Sequence, residues 1–300
     1  GADFEQPVDG FGLVAGAFIL ASLQRVFKVE AVKPTYRLAL LTALAFMLVA
    51  PLPLQLHLGH PERSFEIFTT PHTTSAMAMF GFVYLWYLLA VLVIEIWLEF
   101  RPLIVHRASS EKGLLRLFYR VLTLGSTNLS PRSLEIDDRV GRFITVVGIP
   151  SAFLLHGYVG FIFGSIKANP WWSTPLMPIV FLFSAIVSGI AAVLLIYIIY
   201  CKSKRIPIDV PCLDTMAKYL YYAFIVDFSL EMLDLIHRIY ESDESFQSLD
   251  FMVKTRLYGS QIVLQIVLGT LVPLALLALT QLRKFTIVVR QRMYVVAAAL

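Results

Sequence analysis

Apolar positions in this chain fall in long runs separated by polar turns, not in the two-residue alternation of a half-buried strand. The runs cover 11–27, 36–58, 73–100, 140–166, 174–201, 214–240 and 256–282, each close to or above the ~20 residues that cross a bilayer as a helix. Only helices and closed barrels satisfy their own backbone groups in lipid, and runs of this length fit the helix. Another run starts near 291 and reads MYVVAAAL, the first two turns of an eighth span, before the sequence stops. The pattern predicts an all-α polytopic membrane protein of about eight transmembrane helices, one integral membrane domain over 1–300. On this reading the chain is cut inside its last span, and a further helix upstream is allowed. In the first run Gly12, Ala15, Gly16 and Ala17 offer the small surface that lets membrane helices approach closely. Within the connection 101–139, the segment 111–124 (EKGLLRLFYRVLTL) sets apolar and basic residues at helical spacing and predicts an interfacial helix.

Composition and charge add an orientation. With 58% apolar and 15% charged residues, the chain lies far from the roughly 25% charged residues of a soluble domain. Connections after the first, third, fifth and seventh runs hold eighteen lysines and arginines, against five in the intervening ones. The positive-inside rule then puts the odd connections in the cytoplasm and the N-terminus outside. Because the cations are divided among loops between apolar spans, the pI of 9.0 does not point to nucleic acid. Residues 1–10 are acidic and lack the basic n-region of a cleavable signal. Cys201 and Cys212 flank a basic loop and fit neither a disulfide framework nor a four-ligand metal site, so no metal is expected.

The candidate chemistry starts in 218–238, KYLYYAFIVDFSLEMLDLIHR. Asp227, Glu231, Asp234 and Arg238 follow one another at steps of four, three and four, which puts them on one helical face. A carboxylate at membrane depth costs at least ~2.5–3.5 kcal/mol, so the stripe should face other helices, paired, protonated or wetted. It reads either as an internal salt-bridge ladder on Arg238 or as a proton-transfer site. Asp227 lies at mid-span with Glu231 and Asp234 rising outward, so a relay would connect to the outer side. Below Asp227 the same face offers only Ala223, Leu220 and Ala217.

Five of the six histidines gather at the same outer side as this stripe: His57, His60, His72, His156 and His237. His156, a mid-span imidazole followed by Gly157, and Tyr158 lie in the outer half of their span. Intramembrane imidazoles serve b-type haem as facing pairs, or quinone, where His, Tyr and carboxyl groups exchange protons with the ring oxygens. Quinone accounts for the acidic stripe as well. A secondary transporter or proton channel using Asp227, Glu231 and Asp234 is the alternative, and it lacks the paired interrupted helices of such folds.

The segment 56–87, LHLGHPERSFEIFTTPHTTSAMAMFGFVYLWY, resembles the NrfD / polysulfide-reductase membrane-subunit family, whose turn there reads like DLGRPER. His57 stands where that family usually has Asp, and His60 where it has Arg. GLVAGAFILAS in the first run is similar too. HGYVGFIFGSIKANPWWSTP at 156–175 and VDFSLEMLDLIHRIYE resemble most the DsrP branch, found in the sulfite-reductase-associated complex of sulfur-metabolising microbes. The resemblance implies bundles of four helices, up to ten helices in all, in the inner membrane of a prokaryote. It also implies a subunit exchanging electrons between menaquinone or ubiquinone and an iron–sulfur, ferredoxin-like subunit on the outer face. Cytochrome subunits are possible further partners, and lipid surrounds the whole. The chain itself is expected to hold neither haem nor an iron–sulfur cluster. His156 and Tyr158, with His57, Arg63 and His72 as neighbours, match the family's quinone region near the outer face.

Overall fold

A computed structural model describes residues 12–52, 55, 60–70, 74–166, 173–241, 247, 250, 251 and 253–300, and every regular element among them is helical. Helix α1 (Gly12–Arg25) leads through a 3₁₀ segment, Glu30–Thr35, into α2 (Tyr36–Val49). After a single turn, α3 (Glu66–Thr69), comes α4 (Ala76–Leu85), which widens into π-helical turns at Trp86–Val93 and continues as α5 (Ile94–Ser110). Then follow α6 (Gly113–Leu122), α7 (Pro131–Gly164), α8 (Met177–Lys204) and α9 (Val210–Glu241). A π-helical stretch, Val253–Leu271, runs into α10 (Val272–Leu282), and α11 (Ile287–Ala299) ends the chain. Five of these segments are long and apolar enough to cross a membrane: Glu30–Val49, Ala78–Ser110, Pro131–Gly164, Met177–Lys204 and Val263–Leu282. In α9, the acidic stripe makes the helix more polar than those five.

The helices close into two rings of four. In the first, α1 packs on α2, α2 on the helix ending in α5, α5 on α7, and α7 on α1. In the second, α8 packs on α9, α9 on α10, α10 on α11, and α11 on α8. The rings meet along α8, which also lies against α1 and α7. Lipid gives helices no hydrophobic reason to associate, so close packing has to come from small residues. Gly16 and Gly189 supply it where α1 crosses α8: a Cβ on Gly16 would lie 2.6 Å from the Gly189 Cα. Gly160 does the same for α7, where a Cβ would meet the Pro178 Cα at 2.6 Å. Phe18, Leu40, Met47, Tyr87, Leu155 and Leu194 belong to the buried core these crossings enclose.

The connection expected at 101–139 is mostly helical. Helix α5 continues past 100 to Ser110, and α7 begins at Pro131 rather than near 140. The start of α7 carries its own signal, with Ser130 as the N-cap and Pro131 in the first turn. Arg101 pins the region. Fully buried, it donates from Nε to Asp137 Oδ2 at 2.7 Å, from Nη1 to Ser126 Oγ and Asn128 O, and from Nη2 to Ser133 Oγ and Asp137. The amphipathic segment forms α6 close to its expected bounds. It turns back along α5, where Trp97 Nε1 donates to Leu122 O at 2.8 Å, and leaves Leu114, Leu117, Phe118 and Val121 exposed.

Candidate functional site

The acidic stripe of α9 divides into two parts. Asp234 is held: its Oδ2 accepts from Arg238 Nε at 2.8 Å and its Oδ1 from Thr174 Oγ1 at 2.6 Å. Thr174 lies in the turn before α8, so this carboxylate ties the ends of two helices together, as the ladder reading expected for Arg238. Two turns away the situation changes. Asp227 is buried, and its Oδ1 has no hydrogen-bond partner among the described residues. Glu231, half-buried beside it, makes no ion pair among the described residues. Burying a carboxyl oxygen with no partner is costly. The stripe thus holds one carboxylate tied to its neighbours, Asp234, and two inner carboxyls, Asp227 and Glu231, with no ion pair among the described residues.

In the first ring, His156 is buried on α7, and its Nδ1 lies 2.7 Å from Ala152 O. A carbonyl only accepts, so Nδ1 carries the proton and the imidazole is held in one tautomer. Beside it, a Cβ on Gly157 would come to 4.0 Å from Pro178 O, an ordinary contact with the start of α8 rather than the clash that a Cβ on Gly160 or Gly164 would make there. Tyr158 belongs elsewhere. Two residues on along a helix is about 200° round it, and Tyr158 points at α4, where its hydroxyl donates to Ala76 O at 3.0 Å. Its ring stacks on Phe80 at 6.4 Å and leans on Phe161 at 5.7 Å, forming an aromatic wall with Tyr84, which donates to Met47 O at 2.6 Å.

Of the other expected residues, Arg63 is exposed and pairs with Glu66 at 2.8 and 3.1 Å; these bonds hold the Glu66 carboxyl below its ordinary pKa. His60 Nδ1 lies 3.0 Å from Glu62 Oε1. His57 and His72 lie outside the described residues. Among the described residues, His156 and Tyr158 belong to the first ring, and Asp227 and Glu231 to the second.

A second buried polar cluster was not read from the sequence. Glu95, fully buried on α5, accepts at Oε1 from Tyr36 Oη at 3.1 Å and from Thr145 Oγ1 at 2.8 Å. Arg25 donates to the same tyrosine oxygen. The signal was present: Glu95 and Glu99 stand four apart in an otherwise apolar stretch, the pattern that flagged α9.

Comparison with known proteins places these features. A family model described as polysulphide reductase, NrfD, matches residues 11–299. A selenate reductase subunit of Mesobacillus selenatarsenatis is 36% identical over 199 residues, which cover 65% of this chain and 46% of that protein. A putative dimethyl sulfoxide reductase membrane subunit of Halobacterium salinarum is 30% identical over 290 residues, 93% of this chain and 61% of its own. Protein NrfD of Escherichia coli is 28% identical over 196 residues, 64% of this chain and 58% of its own. The chain thus spans about half to three-fifths of the length of these relatives.

Proposed function

The chain belongs to the polysulphide reductase NrfD family, and from that premise we propose that it is the quinone-reactive membrane subunit of a multi-subunit reductase complex. The observation that carries this reading is His156: a buried imidazole, fixed by Ala152 O, within a helix long and apolar enough to cross a membrane. An imidazole so held can exchange a proton through Nε2 with a quinone oxygen, the work of a general acid or base. Tyr158, with the Phe80 and Phe161 rings, supplies a flat apolar wall on the neighbouring side of α7. Arg63, His57 and His72 belong to the same outer turn in sequence. Quinol oxidation releases two electrons and two protons. The electrons pass to an iron–sulfur, ferredoxin-like partner at the end opposite the basic connections, or return from it when the reaction runs the other way. Asp227 and Glu231 transfer protons, with Asp234 positioning the helix that carries them.

The quinone pool of a prokaryotic inner membrane, menaquinone or ubiquinone, is the substrate, and a DsrP-like place in sulfur metabolism follows from the segments at 156–175 and 226–241. The unpartnered Asp227 also suits a proton channel, and proton flux through the reconstituted protein without quinone or electron donor would favour that reading.

The test is His156→Ala in the assembled complex. Quinol-linked turnover should fall at least ~100-fold, the scale of a lost general acid–base group. Turnover with a soluble artificial dye, which bypasses the membrane subunit, should stay unchanged. Full quinol activity in the variant removes His156 from the site.

A further inference from the structure

We infer that Glu95 is a separate proton-binding site, filled from the basic-loop end of the first ring, with Tyr36 handing its proton to Oε1 and taking one back from water while Arg25 holds the phenol in place. The carboxyl sits where α2, α5 and α7 meet, with no exposed surface. Its Oε1 accepts two hydrogen bonds, from Tyr36 and Thr145, while Oε2 has no partner among the described residues. Among them Tyr87 Oη, also fully buried and eight residues earlier on the same helix, has no partner either. An ionised carboxylate in such a place needs a cation on it. The closest guanidinium is engaged elsewhere: Arg25 donates to Tyr36 Oη, and its Nη1 and Nη2 lie 3.9 Å from Glu99 and 3.8 Å from Asp138. The cluster touches the carboxylate directly only through two neutral hydroxyls, with the Arg25 guanidinium one hydrogen bond further off behind Tyr36, and a proton on the carboxyl removes the buried charge.

The same groups form a graded route from water. Asp138 has 57% of its side chain exposed, Glu99 21% and Arg25 9%. Tyr36 then bridges Arg25 to Glu95. The charged and titratable groups facing the site are Arg25 from α1, Tyr36 and Arg37 from α2, Tyr87 from the π-helical turns, Glu99 from α5, and Asp138 and Arg142 from α7. Arg37 is engaged with Glu99 at 2.7 Å, and Arg142 with Asp138 at 2.7 Å. Beyond Tyr87 the path closes. The Phe18 ring meets Tyr87 edge-on at 5.5 Å, and Phe18 and Val91 fill the space against Gly148. Among the described residues, then, the site opens towards the Glu99–Asp138 edge. Loading it forms one O–H bond on Glu95 and takes one proton from water at the Glu99–Asp138 edge; unloading reverses both.

A proton site here serves a reductase subunit and a proton channel alike, so the inference stands apart from the quinone reading. Its test uses the purified membrane complex without quinone or electron donor. Infrared difference spectra are recorded between acid and alkaline buffer. A carboxylic C=O band seen in the wild type should be absent from Glu95→Gln, and in Tyr36→Phe it should shift, because one hydrogen bond to Oε1 is gone. Identical spectra for wild type and Glu95→Gln overturn the inference. If Glu95→Gln fails to assemble, Tyr36→Phe decides, and an unshifted band there overturns it equally.

Discussion

Asp227 and Asp234 stand seven residues apart on one stripe of α9 and have opposite surroundings. Asp234 takes one bond from Arg238 and one from Thr174, so Asp234→Asn removes charge-assisted bonds that hold two helix ends. We expect a loss on the order of 1.5–3 kcal/mol, seen as a lower unfolding temperature of the complex, with quinol turnover of the folded fraction retained. Asp227→Asn and Glu231→Gln touch no such bond. Each should slow quinol turnover at least ~10-fold with quinone binding and thermal stability unchanged, the scale of a removed proton-transfer group. Wild-type turnover in both would make the stripe a structural ladder. The spacing of the stripe was legible in the sequence, because a helix of known pitch fixes it. The partner that separates Asp234 from Asp227 was not, since Thr174 is sixty residues away and on another element. Depth along the span grouped His156 with Tyr158, and the helical turn between them divides the two.

Among the elements, α6 shows what periodicity can and cannot give. Leu114, Leu117, Phe118 and Val121 occupy one face, with Arg116 and Arg120 opposite, and this pattern alone predicted the helix. Its direction depends on a contact no pattern contains, the Trp97 bond that folds α6 back along α5. The exposed apolar face should be covered by lipid. In membranes, the double substitution Leu117→Glu, Phe118→Glu should loosen α6, and trypsin should then cut at Arg116 and Arg120 roughly tenfold faster, as expected when a segment's local opening becomes easier. An unchanged cleavage rate would show that the face is not held by lipid. Arg101 marks the opposite limit of legibility. It read as one cation of a basic connection, yet it is a fully buried hub whose partners at 126–137 turn that connection into ordered helix and cap.

At the scale of the whole molecule, two four-helix rings depend on the crossing of α1 and α8. Gly16→Val puts side-chain carbon into the Gly189 backbone, and an overpacked contact of this kind costs about 1–3 kcal/mol or more. The variant should accumulate poorly in membranes, whereas Gly157→Ala, whose Cβ meets nothing nearer than 4.0 Å, should accumulate normally. Ring membership was implied by family resemblance, and the glycine was visible as a small-residue surface; its partner across the crossing was not. The wide turns at Trp86–Val93 have a consequence of another kind, one of phase. A wide turn takes up one residue more than an ordinary one, so straightening it with every residue kept would rotate everything downstream by about 100°. Glu95, Glu99 and Arg101 would swing together away from Tyr36, Arg37 and Asp137. A one-residue shift in this stretch would thus unseat the buried carboxyl, the rim pair and the loop hub at once, though it removes none of them.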